Sequence, residues 1–102
     1  LLFLEDHEQF GSPSVTSKYL SHIEQSGFMS NVSGLILGHY ADKFYPEILD
    51  ILRRIADRYQ IPTVKTDDFG HCATRGTIPI GVSAVLDADA QTLRFTENTV
   101  EA

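Results

Sequence analysis

Several features that would assign a chain to a class at once are missing from this sequence. It has a single cysteine, Cys72, so no disulfide can form within the chain, and this fits a reducing compartment such as the cytoplasm. Only 8 basic residues stand against 14 acidic ones, for a net charge of -6, and they form no patch that predicts nucleic-acid binding. No apolar run approaches the roughly 20 residues that span a bilayer. We therefore predict a cytoplasmic protein with no nucleic-acid and no membrane partner.

The residues that are present indicate one globular domain over residues 1–102. A content of 42% hydrophobic and 22% charged residues is ordinary for such a domain, and the length suffices for one modest core. The chain opens inside an apolar run, residues 1–4, without an initiator methionine. We therefore expect it to be the C-terminal portion of a longer protein.

Hydrophobic periodicity predicts an alternation of strands and helices. Short apolar or alternating runs predict strands at residues 1–4, 34–38, 61–66, 77–86 and 91–96. Ser12 and Pro13 are typical of a helix start, and the first helix is expected to end near Ser26. The second helix is predicted over residues 45–59, where apolar residues recur at three- and four-residue spacing. A turn at residues 87–90 joins the last two strands in a hairpin, so the chain is expected to be α/β, with a mixed sheet and two main helices.

Side chains with acid–base or metal-binding chemistry collect where the predicted strands end, which is where open α/β sheets commonly hold their sites. They are Glu5, Asp6, Glu8, His39, Asp67, Asp68, His71 and Cys72. One possible arrangement is a zinc site made by His39, His71 and a carboxylate. The sequence lacks the short His-x-x-x-His or Cys-x-x-Cys spacing that would support it.

Two further arrangements involve His71, which lies in a glycine-rich loop at residues 67–81. Cys72 could be a nucleophile served by His71, but adjacent residues on an extended loop point in opposite directions, and free cysteines more often fill space in the core. Alternatively, His71 could be a general base whose tautomer is fixed by Glu5, with the nucleophile elsewhere. The residues alone leave open whether His71 does this or only bonds the loop backbone.

Four short motifs run along the chain: LFLED at residues 2–6, GLILG at 34–38, FGH at 69–71 and TIPIG at 77–81. Each is weak alone, but in this order and at these separations they resemble the C-terminal domain of the LD-carboxypeptidase family of serine peptidases. That family includes murein tetrapeptide carboxypeptidases and the microcin C self-immunity proteins. The resemblance covers nearly the whole chain.

The resemblance implies that the active site is divided between two domains. The family uses a Ser-Glu-His triad whose serine lies in an N-terminal domain, and no serine of this chain matches that motif. The C-terminal domain, of a swivelling β/β/α type, supplies the other two groups, which correspond here to Glu5 and His71, with Glu8 as a less well matched carboxylate. The implied substrate is a murein peptide or a peptidyl-nucleotide conjugate, with no metal or cofactor. Relatives suggest a homodimer, and this chain alone is expected to be inactive.

The chain also departs from the family pattern. Cys72 and Thr74 stand where members usually carry a threonine and a proline, so the loop after His71 is expected to follow a different path. The Tyr-Arg-x-Asp-Arg pattern common in the murein carboxypeptidases is absent after Glu8. Instead, Ser12-Pro13 opens the helix, as in the microcin-immunity branch, which we favour.

Two rival functions remain beside the peptidase. One is a non-catalytic binding or assembly domain in which Glu5 and His71 are remnants of a former site. The other is a metal-dependent hydrolase, whose activity would fall on chelation.

Overall fold

The computed structural model describes residues 1–9, 11–71 and 76–98, and within them two α-helices and five strands. In chain order these are β1 (Leu2–Leu4), α1 (Pro13–Gln25), β2 (Leu35–His39), α2 (Pro46–Tyr59), β3 (Thr63–Gly70), β4 (Ala84–Asp87) and β5 (Thr92–Phe95). A 3-10 helix, Phe28–Asn31, which the sequence reasoning did not predict, lies between α1 and β2. None of the helices in these ranges is both long and apolar enough to cross a membrane.

Both α-helices begin at a proline, which suits the first turn because its missing N–H would have no partner there. The Ser12 side chain accepts a hydrogen bond from the Val15 N–H and so caps α1. After α1, Gly27 adopts a left-handed conformation with φ 80°, which ends the helical path. The observed ends lie within one residue of the predicted ones, since these signals are local in sequence.

Strands β1, β2 and β3 form a parallel sheet with β2 in the centre. Because side chains alternate along a strand, Leu35 and Leu37 of β2 face the helices while Ile36 faces the opposite side. The core between sheet and helices consists of apolar side chains from β2, α1, α2 and their connections: Leu20, Met29, Leu35, Leu37, Tyr40, Ile48, Ile51, Leu52 and Ile55. Every residue of β2 is buried, as expected for the central strand of a covered parallel sheet.

Strands β4 and β5 form an antiparallel hairpin, as predicted, with Ala84 opposite Phe95 and Asp87 opposite Thr92. The α/β class with two main helices is confirmed. In the described part of the chain the parallel and antiparallel strands belong to two separate sheets rather than to one continuous sheet.

Two strand boundaries differ from the prediction by more than two residues. The strand expected to end at Thr66 continues to Gly70. The strand expected over residues 77–86 begins only at Ala84. Pro79 has no N–H to donate to a ladder, and Gly81 has φ 82°, outside the β region, so the alternating apolar residues before Ala84 do not form a paired strand.

Candidate active site

Glu5 and His71 meet at the carboxyl edge of the parallel sheet. Glu5 directly follows β1 and His71 directly follows β3, and since the strands are parallel both residues emerge at the same edge. The Nδ1 atom of His71 is hydrogen-bonded to Oε1 of Glu5, across 66 positions of sequence. The His71 side chain is 58% exposed and the Glu5 side chain is 38% exposed. The structure thus joins the two residues that the sequence reasoning selected, at a position open to a ligand or a second domain.

The hydrogen bond between these residues has a direct chemical consequence. A carboxylate can only accept, so the Nδ1–H of His71 donates to Glu5. In the neutral imidazole the lone pair is then on Nε2, which is the nitrogen that takes a proton in a Ser-His-carboxylate site. The pair is therefore arranged as a base with its orienting carboxylate.

Gly70, the last residue of β3, makes possible the close approach of β3 to His39 of β2 and to Glu5. Its φ of 108° is a conformation that side chains disfavour. A Cβ at this position would lie 3.1 Å from the backbone N and O of His39 and 3.2 Å from Cγ of Glu5. Only glycine therefore lets the chain pass tightly between β2 and Glu5 immediately before His71.

The segment that carries Glu5 is anchored to α1 by the neighbouring carboxylate. Asp6 accepts hydrogen bonds from the His7 N–H and from the hydroxyl of the buried Thr16, each at 2.8 Å. Gly11 leaves room for this carboxylate, because a Cβ there would lie 2.9 Å from Asp6 Oδ2. Asp6, a sequence candidate, thus holds the segment in place.

Glu8, the other carboxylate considered for the triad, makes a different contact. It accepts a hydrogen bond of 2.6 Å from the hydroxyl of Tyr45, at the N-terminus of α2. This bond raises the pKa of Tyr45 to about 12, with further contributions from desolvation and from the charge of Glu8. Glu5 is therefore the carboxylate that is bonded to His71.

His7 is a residue of this region that sequence reasoning did not select. Its ring centroid lies 5.7 Å from that of His71, with the rings tilted by 56°. Its Nδ1 accepts a hydrogen bond of 3.1 Å from the Gln9 N–H. The only signal in the sequence was its position two residues after Glu5.

His39 belongs to a second polar cluster on the same sheet edge. The predicted strand ended one residue before it, at Gly38, but His39 is the last residue of β2 and only 7% exposed. Its Nδ1 lies 3.0 Å from Asp67 Oδ1 and its Nε2 lies 3.3 Å from Asp42 Oδ1. The Lys65 ammonium, 2.6 Å from Asp67, and the His39 ring together lower the pKa of Asp67, with Lys65 making the largest contribution.

The zinc arrangement considered from sequence is not formed among the described residues. His39 and His71 are bonded to different carboxylates, and no group of three potential ligands converges within residues 1–9, 11–71 and 76–98. Cys72 and Thr74 lie outside the described residues.

The Glu5–His71 pair borders an open cleft of about 370 Å³. Its walls also include Phe69, Gly70, Gly76 and Ile78. Residues that precede and follow His71 in the sequence thus line the cleft together with Glu5. A reacting group placed there would lie beside the imidazole.

The family model for the LD-carboxypeptidase C-terminal domain matches residues 1–86 of the chain. The chain belongs to this family. The matched part of this LD-carboxypeptidase C-terminal domain contains Glu5, His71 and the whole parallel sheet, and it ends inside β4.

Curated relatives give the same family at moderate identity. A protein of Streptomyces coelicolor named as a carboxypeptidase is 36% identical over 77 residues, which are 74% of this chain and 25% of that protein. A similarly named protein of Rickettsia conorii is 35% identical over 71 residues, 70% of this chain and 22% of its own length. One of Synechocystis is 30% identical over 101 residues, 93% of this chain and 33% of its own length. The chain thus spans a third or less of these relatives, and no solved structure matches it significantly.

Proposed function

We propose that this LD-carboxypeptidase C-terminal domain supplies the base and its orienting carboxylate to a serine peptidase. His71 takes the proton of the attacking serine at Nε2 and later gives it to the leaving amine. Glu5 holds the Nδ1–H and stabilises the imidazolium that forms. The observation that carries the proposal is the hydrogen bond between His71 Nδ1 and Glu5, which joins two strand ends 66 positions apart.

The nucleophile is proposed to come from an N-terminal domain of the same protein. The chain covers between 22% and 33% of the length of the relatives named above, so two thirds or more of each of those proteins lies outside the matched segment, which leaves room for a second domain. Backbone N–H groups of that domain would form the oxyanion hole. The exposed Glu5–His71 pair at the rim of an open cleft suits completion of the site by another domain.

We further propose that the reaction is hydrolysis of an amide bond in a murein peptide or a peptidyl-nucleotide conjugate. The Ser12-Pro13 start of α1 favours the second, microcin-immunity-like substrate class. A cytoplasmic location is proposed from the single cysteine. A homodimer is proposed from the family resemblance alone.

The decisive experiment compares variants of the full-length protein, in which this chain is joined to the serine-bearing domain. His71→Ala should lower kcat for peptide hydrolysis by about 10⁴-fold or more with the fold retained by circular dichroism. The matched control is His22→Ala, since His22 is an exposed histidine on α1. Retained turnover in His71→Ala would contradict the proposal and favour a non-catalytic binding or assembly domain. A fall of wild-type activity on chelation would favour the metal-dependent alternative.

The division of the site makes a second test available. This chain, purified without the serine-bearing domain, should show no peptide hydrolysis above background. Turnover comparable to that of the full-length protein would contradict the two-domain site.

A further inference from the structure

The parallel pairing of β2 and β3 is interrupted just before His71. Leu37 pairs with Lys65, and the next pair is His39 with Gly70. A single β2 residue, Gly38, therefore stands opposite residues 66–69 of β3. Bulges of this kind bend a strand and redirect a side chain, and they are frequent next to active sites. Here the bulge brings β3 back to the sheet at the residue that precedes His71.

His39 holds this bulge at two points. Its backbone pairs with Gly70, at the end of the bulge, and its imidazole bonds to Asp67, in the middle of it. The imidazole is buried with a side-chain exposure of 8%, whereas the Asp67 side chain is 66% exposed. The bulge is thus hydrogen-bonded to the buried side chain of His39 on the central strand β2, and this side chain has little freedom to move.

The charged groups around His39 favour its hydrogen bond to Asp67. Asp67 lies on one side of the ring and Asp42 on the other, at 3.0 Å and 3.3 Å. Lys65 also contacts Asp67, so the carboxylate is held from two directions. Since Nδ1 faces the Asp67 carboxylate, the His39 Nδ1–H is the donor of this bond.

We propose that His39 is a positioning residue, which sets the place of His71 through its hydrogen bond to Asp67. This proposal rests on the catalytic role proposed above for His71. Without the His39 side chain the middle of the bulge loses its hydrogen bond to the central strand β2, and Gly70 and His71 shift relative to Glu5. A displacement of about 1 Å at a reacting group can cost about 10²-fold in rate.

The test uses the full-length protein and three variants: His39→Ala, Asp67→Ala and the double variant. Each single variant should lower kcat by about 10- to 100-fold while KM changes by less than about 3-fold, because the base is misplaced and substrate contacts are kept. The double variant should be no slower than the slower single variant, since both remove the same bond. His22→Ala serves as the control for loss of a histidine that is not in the bulge.

A conservative variant separates positioning from packing. In His39→Asn the amide nitrogen occupies roughly the place of Nδ1 and can donate to Asp67, although the ring is lost. We expect this variant to recover most of the lost kcat. Asp67→Ala, at an exposed position, keeps the test informative if His39→Ala fails to fold.

A spectroscopic measurement follows the proposed displacement without relying on turnover. With ¹⁵N-labelled histidine, the bonded Nδ1–H proton of His71 should give a downfield signal in the wild type and in His39→Asn. The signal should broaden or disappear in His39→Ala and in Asp67→Ala.

The outcomes distinguish the two proposals. If His71→Ala abolishes turnover but both His39→Ala and Asp67→Ala keep kcat within twofold, the positioning role is wrong and the catalytic role stands. The positioning role would also be wrong if the kcat losses of His39→Ala and Asp67→Ala multiplied in the double variant, because the two residues would then act independently. If His71→Ala itself keeps turnover, both proposals are wrong.

Discussion

The ring of Phe69 lies directly over the backbone of Gly38. A Cβ at Gly38 would be 2.7 Å from a ring carbon of Phe69, closer than real contacts allow, and 3.0 Å from the Phe69 carbonyl oxygen, which is tighter than most real contacts. The same ring packs edge-on against Phe3, with centroids 5.6 Å apart. Phe69 lies two residues before His71. Because Gly38 has no side chain, the segment that leads to His71 can approach β2 closely.

Gly38→Ala should therefore affect both stability and activity. The added methyl group must displace Phe69 or bend β2, and overpacking of this kind typically costs about 1–3 kcal/mol. Since Phe69 is close to His71 in the chain, kcat of the full-length protein should also fall. Chemical denaturation and steady-state kinetics measure the two effects.

Gly27→Ala is the matched control for that variant. Gly27 has φ 80°, and a Cβ there would meet nothing within 4 Å. The substitution should cost about 1–2 kcal/mol through backbone strain but leave kcat unchanged. An unchanged kcat in Gly38→Ala would contradict the link between Gly38 and the site.

The two carboxylates near the end of β1 should differ sharply in function. Glu5→Gln removes the charge that is proposed to orient His71 and to stabilise its protonated form, and kcat should fall by about 10²- to 10⁴-fold. Glu8→Gln changes a residue bonded to Tyr45, and kcat should stay within about threefold of wild type, as expected for a change away from the reacting groups. The reverse ranking of the two variants would assign the triad carboxylate to Glu8.

The Tyr45 phenol should ionise at a higher pH than an ordinary tyrosine does. Its hydrogen bond to Glu8 raises the pKa to about 12, so the folded protein keeps this proton at pH values where the unfolded chain loses it. The bond therefore stabilises the fold fully below the unfolded value near pH 10, and this contribution is lost as the pH rises toward about 12. Ultraviolet titration of the wild type against Tyr45→Phe isolates the signal. In Glu8→Gln the Tyr45 titration should move toward lower pH, and no movement would exclude the Glu8 carboxylate as the cause.

Ionisation of Asp67 should make the stability of the fold depend on pH in the acid range, where stability falls as the pH is lowered. Lys65, and to a lesser extent His39, hold the pKa of Asp67 below its usual 3.8. The folded chain therefore gains stability from the ionised Asp67 above the unfolded pKa and loses it as the pH falls through the depressed folded pKa. The effect should be well under about 1 kcal/mol because the pair is exposed to solvent. Carboxyl ¹³C NMR of wild type and Lys65→Met measures it: the pKa of Asp67 should rise in the variant.

The features that were predictable from sequence are those encoded by neighbouring residues. Helix α1 follows from Ser12 and Pro13, and helix α2 from Pro46 and its apolar spacing. The Glu5–His71 pair was selected through motifs at the ends of two strands. Its role in catalysis stays a prediction, while the contact between the two side chains is a feature of the fold.

The features that were missed depend on strand register. The bond between His39 and Asp67 spans 28 positions, and the bond between Tyr45 and Glu8 spans 37. Neither pair shows a local pattern, since each forms only after the strands and α2 have taken their places. The polar residues Asp67 and Asp68 gave no strand signal for the same reason: their place in β3 is set by the bulge opposite Gly38.

The three residues of strand β1 are only partly buried, and they pair with β2. Elements with few buried contacts are the first to open when a fold fluctuates. Opening of β1 would carry Glu5 away from His71 while α2 and β2 keep their packing. The pairing of β1 with β2 therefore holds one half of the proposed catalytic pair in place, and mild denaturant should lower the activity of the full-length protein before the helices unfold.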